Sequence, residues 1–232
     1  VSGHAAWGLW LCLGAQLLAL LLSVLSFIAC RRETPKEAAS ASGKLSSISR
    51  VAVLGAISAV LYYFEVPVIP PIYKLDLSAV PALIAGFAMG PLQALGVMLV
   101  KDLIGLLHTS SMGVGELADF LMSGSMAALA SAIYLRRHTF KGAVLSLIAG
   151  TVAITLVGAL ANYFIMIPFY VQVMHMPMDT IVSLIARSVP AVDSLPKLIL
   201  LAVVPFNLLK GVVLSLVTLA LYKRISPLLK TL

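Results

Sequence analysis

The sequence predicts an all-α membrane protein with several spanning helices, and three observations predict it. Of its 232 residues 61% are hydrophobic and 11% charged, against about 25% charged in soluble domains. The apolar residues fall into long continuous runs, and the charges gather at the ends of those runs. A bilayer core offers no water to backbone groups, so a spanning segment is a helix or part of a closed barrel. Barrel strands alternate in polarity over about ten residues, whereas these runs are unbroken. The net charge of +7 therefore reads as a topology signal and not as a nucleic-acid surface.

Seven runs follow in order. The first, Trp7 to Ala29, is followed by Arg31, Arg32 and a polar linker rich in Ala, Ser and Lys. A signal peptide carries its positive charges ahead of the apolar stretch; here they come after it, which predicts an anchor with its N-terminus outside. Lipoprotein cleavage before Cys30 fits poorly, because Phe27 stands where Leu is usual. The segments expected are residues 1–30 as an extra N-terminal transmembrane helix, 31–50 as a cytoplasmic linker and 51–232 as the core. The second run, Val51 to Val66, leads into a Pro-rich segment, Pro67 to Asp76, expected to be irregular. Leu77 to Met89 and Pro91 to Leu107 are split at Gly90-Pro91. The first of this pair would be only about 20 Å long as a helix, so it must tilt or be shielded. Glu116 to Leu135, Gly142 to Ile167 and Pro196 to Tyr222 complete the set, with a long Pro-rich loop, Pro168 to Leu195, before the last.

Orientation follows by counting. With the N-terminus outside, the inner segments hold Arg31, Arg32, Lys36, Lys44, Arg50, Arg136, Arg137, Lys141, Lys223, Arg224 and Lys230, most of the 16 basic residues. The outer loops hold Lys74, Arg187 and Lys197. That bias is the positive-inside pattern, and it leaves the long polar loops outside. The asymmetry suggests capture of something from outside.

Ionisable residues at membrane depth are costly and face a cavity or a partner. Lys101, Asp102, Glu116, Asp119 and Lys210 qualify. Glu116 and Asp119 share a helix face. An interhelical ion pair that fixes packing and a role in a site both remain open for this group, and Glu116 could instead cap its helix. Lys210 lies among apolar neighbours on one face with Asn207, and Asn162 sits in the preceding run. Two amides and an ammonium suit a flat, uncharged heterocycle of alternating carbonyl and N–H groups, while interhelical hydrogen bonding is the plainer alternative for each Asn.

Several chemistries find no support. The sequence has no G-x-x-x-x-G-K-[ST] loop, no H-E-x-x-H pair and no G-x-S-x-G elbow. Its four histidines are scattered. Cys12 and Cys30 stand about 27 Å apart on one helix, too far to bridge. A chain of this kind that transports uphill needs a partner to supply the energy.

From about Lys44 onward the sequence resembles the riboflavin-specific S components of energy-coupling-factor (ECF) importers. Leu75-Asp76-Leu77-Ser78-Ala79-Val80-Pro81-Ala82-Leu83 resembles the approach to that family's second helix. Gly113-Val114-Gly115-Glu116-Leu117-Ala118-Asp119-Phe120-Leu121 resembles its G-x-G-E-L-A-N-F-L stretch, with Asp119 where Asn is common. Ala161-Asn162-Tyr163 and Pro205-Phe206-Asn207-Leu208-Leu209-Lys210-Gly211 resemble its ligand-facing helices. The resemblance implies a six-helix S-component core, here preceded by one extra N-terminal helix, in the bacterial inner membrane. It implies a vitamin site near the outer face in which Asn162, Asn207 and Lys210 hydrogen-bond the flavin ring. It implies riboflavin as transported ligand with no cofactor, and partners comprising a membrane coupling protein and two cytoplasmic ATPases. It further implies docking of the coupling protein on an A-x-x-x-A stripe, which Ala52 and Ala56 fit; Gly55 and Ala59 form a second small pair, and internal packing is the competing use of either. The expectation is thus a substrate-binding importer subunit and not an enzyme. The alternatives are an S component for another vitamin or a flavin precursor, an intramembrane enzyme using Asp102, Glu116 or Asp119, and a purely structural subunit.

Overall fold

The structure, a computed structural model, describes residues 41–69, 72–109 and 111–229. The first apolar run and the linker as far as residue 40 lie outside the described residues. Helix α1 spans Ala41–Tyr62, so it begins well before Val51 and takes in part of the expected linker. Helices α2 (Ala79–Met89) and α3 (Pro91–Gly105) meet at Gly90, whose φ of 113° suits a residue without Cβ, and Pro91 starts α3 where its missing N–H costs nothing. Helix α4 spans Val114–Tyr134 and α5 spans Phe140–Ala161. Thr139 caps α5 by accepting from Gly142 N at 3.0 Å.

Among the described residues four helical stretches are long and apolar enough to cross a membrane: Pro91–His108, Val114–Tyr134, Phe140–Gln172 and Leu195–Leu221. Ser47–Tyr62 and Ala79–Met89 are shorter apolar helices. The chain is a multi-pass, mostly helical membrane protein. The main core lies between α2, α3, α4, α5 and the last helix, with Leu83, Met98, Met126, Leu147 and Leu214 fully buried. Phe87 stacks on Tyr134 at 4.3 Å. Helix α1 packs on α3 at Gly55, where an added Cβ would stand 2.6 Å from Val100 Cγ1.

Two segments depart from the sequence reading. The Pro-rich stretch expected to be irregular forms an antiparallel hairpin: β1 (Val66–Ile69) pairs with β2 (Tyr73–Leu75), Val66 opposite Leu75 and Pro67 opposite Lys74. A two-stranded ribbon is all edge, so the missing Pro67 N–H is tolerated. The long loop before the last run also carries structure. Helix α5 runs on through a π-turn, Asn162–Met166, into α6 (Ile167–Gln172), and then comes α7, Met178–Ala186. Ile181 and Ile185, one turn apart on α7, are buried against a second cluster that includes Tyr73, Leu198 and Phe206. The last helix begins as α8 (Leu195–Leu198), passes through a second π-turn, Ile199–Val203, and becomes α9 (Val204–Leu229). The two π-turns pack against each other.

Candidate functional site

A cavity of about 330 Å³ opens at the hairpin end of the bundle. It takes side chains from the first half of α4, including Glu116, Asp119 and Met122. The basic turn holding Arg136, Arg137 and Lys141 follows the other end of α4, about 30 Å away along the axis. The cavity therefore lies at the end that the charge bias assigns to the outside.

Its floor is ionic. Lys210, 5% exposed, donates to Asp76 Oδ2 at 3.1 Å and to Asp119 Oδ1 at 2.9 Å. Asp119 Oδ2 accepts from Lys101, which is fully buried. Lys101 also lies 2.7 Å from Asp102 Oδ1 and 4.9 Å from the centre of the Tyr62 ring. Five charged groups from three helices and the segment before α2 thus form one chain: Asp76, Lys210, Asp119, Lys101, Asp102. Burying charge is tolerable when each group has an opposite partner and aligned hydrogen bonds. The carboxylates of Asp119 and Asp76 are filled accordingly, whereas neither oxygen of Asp102 has a hydrogen-bond partner among the described residues. Ser123 Oγ donates to Asp119 Oδ1 at 3.0 Å, and Ser78 donates to Asp76 Oδ1 from its backbone N at 2.8 Å and from its hydroxyl.

The walls are mixed. Asn162 and Tyr73 share one side, where the Tyr73 hydroxyl donates to Asn162 Oδ1 at 2.9 Å and Asn162 Nδ2 donates to Gly158 O at 2.8 Å. Phe206 leans on Tyr73 with ring centres 5.1 Å apart. Burial pushes the Tyr73 phenol above its usual pKa. Glu116 is buried beside Thr109 and Ser111, accepting from Thr109 Oγ1 at 2.8 Å. Thr109 Oγ1 also accepts from Gly113 N at 2.9 Å, and Ser111 Oγ from Gly115 N at 2.9 Å, so the loop before α4 is braced against this carboxylate.

Of the three residues singled out for the ligand, Asn162 and Lys210 line the cavity. Asn207 does not. It is buried behind the wall one turn before Lys210, donates from Nδ2 to Val203 O at 2.9 Å, and has no hydrogen-bond partner for Oδ1 among the described residues. Its side chain fills the space above Gly158, where an added Cβ would stand 2.6 Å from Asn207 Cγ. Both asparagines thus bond a carbonyl four residues back, beside a π-turn. Ala52 and Ala56 are exposed on α1, while Gly55 and Ala59 are buried on its other face, so the A-x-x-x-A stripe is not used for packing among the described residues. Asp76 and Tyr73 were missed from sequence. Asp76 carried a signal, a lone carboxylate between two leucines, while Tyr73 was hidden in the Pro-rich segment. Among the described residues no group of His, Cys, Asp or Glu could hold a metal ion.

Comparison with known proteins agrees with this architecture. The sequence model of the ECF transporter substrate-specific component matches residues 46–222. The chain is 34% identical to the riboflavin transporter RibU of Staphylococcus aureus, over 78% of this chain and 90% of that protein. It is 31% identical to the riboflavin transporter FmnP of Bacillus subtilis, over 79% of this chain and 94% of the relative. A solved S component of a bacterial ECF transporter superposes with a TM-score of 0.64 at 31% identity, covering 81% of this chain and 99% of that one. Conserved length, helical order and sequence together assign the chain to the substrate-specific components of ECF transporters.

Proposed function

We propose that the chain binds riboflavin in the outer cavity and delivers it across the bacterial cell membrane with a coupling protein and two cytoplasmic ATPases. The observation that carries this reading is the convergence of Asn162, Tyr73, Phe206 and Lys210 on one cavity, in a chain about one-third identical to two riboflavin transporters. A flat ring of alternating donors and acceptors matches an amide on one wall and an ammonium in the floor, with aromatic side chains for its faces. Asn207 adds a buried amide oxygen with unused acceptor capacity one turn from Lys210. The six apolar helical stretches among the described residues form the binding core. The exposed Ala52 and Ala56 present a small-residue stripe on which a coupling-protein helix can approach closely.

The test is direct. Protein purified in detergent from riboflavin-containing medium should be yellow with a flavin absorbance spectrum, and the stripped protein should quench riboflavin fluorescence on titration. A colourless protein that causes no quenching would remove the flavin and leave another small vitamin as ligand.

A further inference from the structure

We propose that Asp119 is a positioning residue for the ligand-facing ammonium, fixing the direction in which Lys210 donates into the cavity. The inference rests on the flavin reading for its ligand, but its geometry is independent of that ligand. A lysine ammonium has three N–H donors. On Lys210 one meets Asp76 at 3.1 Å and a second meets Asp119 at 2.9 Å. With two tetrahedral directions fixed, the third is determined, and Lys210 lines the cavity together with both carboxylates. Asp119 is itself immobilised: Oδ1 also accepts from Ser123, one turn along the same helix, and Oδ2 accepts from Lys101. Lys101 is in turn held by Asp102 and the Tyr62 ring. A flexible four-carbon side chain on a single contact would sample several rotamers; between two fixed carboxylates it is organised before the ligand arrives.

Charge balance separates this role from a merely structural one. The network holds three carboxylates and two ammonium groups. Asp119→Asn leaves Lys101 with Asp102 and Lys210 with Asp76, two matched pairs, so the fold keeps its compensation while Lys210 swings on one anchor. The experiment compares parent, Asp119→Asn and Ser123→Ala in the full chain, in detergent. Lys210 acylation by acetic anhydride is read by mass spectrometry without ligand, alongside riboflavin affinity and thermal melting. Expected for Asp119→Asn are Lys210 acylation raised severalfold, riboflavin Kd raised about tenfold and a melting temperature within a few degrees of the parent. Ser123→Ala should move the same two readouts in the same direction by less. Unchanged acylation and affinity in Asp119→Asn would overturn the proposal, as would changes that appear only with a collapsed melting temperature and are absent in Ser123→Ala. A parent that fails to bind riboflavin would refute the flavin reading alone, since the acylation comparison still decides for or against Asp119.

Discussion

Lys210→Met is the substitution for which the structure gives the fullest account. Considered only as a ligand contact, Lys210 supplies one charged hydrogen bond, whose loss costs about 1.5–3 kcal/mol, or roughly ten- to a hundredfold in affinity. The structure adds a second cost. The ammonium holds Asp76 and Asp119 at 3.1 and 2.9 Å in a buried setting. Asp119 keeps Lys101, but Asp76 then has no cation within salt-bridge range among the described residues. Removing one partner of a buried pair costs about 3–5 kcal/mol, a large share of the roughly 5–15 kcal/mol that holds a typical domain together. Lys210→Met should therefore lower thermal stability as well as affinity. Lys210→Met with Asp76→Asn removes the stranded charge, so it should recover most of the stability and none of the affinity. The assays are thermal melting in detergent and riboflavin fluorescence quenching on the same preparations. A single variant that melts with the parent would show that the Asp76–Lys210 pair is not a buried ion pair. A double variant that regains affinity would show that Lys210 acts only through the fold.

Further expectations can be checked alongside. Ala56→Trp, on the exposed face of α1, should leave riboflavin binding and melting unchanged and abolish uptake in cells carrying the coupling module; equal loss of binding would assign the stripe to the fold. Gly55→Leu, on the opposite face, should instead destabilise by about 1–3 kcal/mol through overpacking against Val100, read as a lower melting temperature. The Tyr73 phenol has a folded pKa raised by burial, so its contribution is complete below the unfolded pKa of about 10 and is lost as pH rises beyond it. Melting temperature should fall above about pH 10, and less so in Tyr73→Phe. Deleting residues 1–43 should leave riboflavin affinity within a few-fold, because the first apolar run offers Gln16 as its only amide and no ionisable group; a collapse in a monodisperse truncation would show that this segment contributes to the site.

The spanning helices were legible because hydrophobicity acts locally, so that α3, α4, α5 and α9 stand close to the apolar runs that announced them. Lys210 and Asn162 were legible for a related reason: a polar group in an apolar run needs an explanation wherever it sits. What the sequence concealed is long-range or compensated. The partner of Lys210 is Asp76, 134 residues away, and nothing local marks the pair. The hairpin was obscured by prolines that argue against strand and are tolerated only because a two-stranded ribbon has free edges. Helix α7 was hidden in a segment read as loop, although Ile181 and Ile185 already carry the four-residue spacing of a helix laid over a core. Asn207 was correctly marked as a buried polar group, but whether it faced the cavity or Gly158 depended on a π-turn that periodicity does not reveal.

Those π-turns have a consequence for how such a cavity changes. Each amounts to a single residue inserted into an α-helix, and one residue turns a helix by about 100°. Removing one residue from Asn162–Met166 would restore regular winding and rotate everything beyond it, carrying Met166 and Tyr170 away from the cavity they now line. The bundle core below, from Phe140 to Ala161, would keep its register. The cavity ends of α5 and the last helix are thus indexed separately from the rest of the bundle, like the bit of a key cut independently of its shaft. A new ligand preference could arise here from a one-residue deletion or insertion at a π-turn, a step that substitution-by-substitution comparison of relatives would not register.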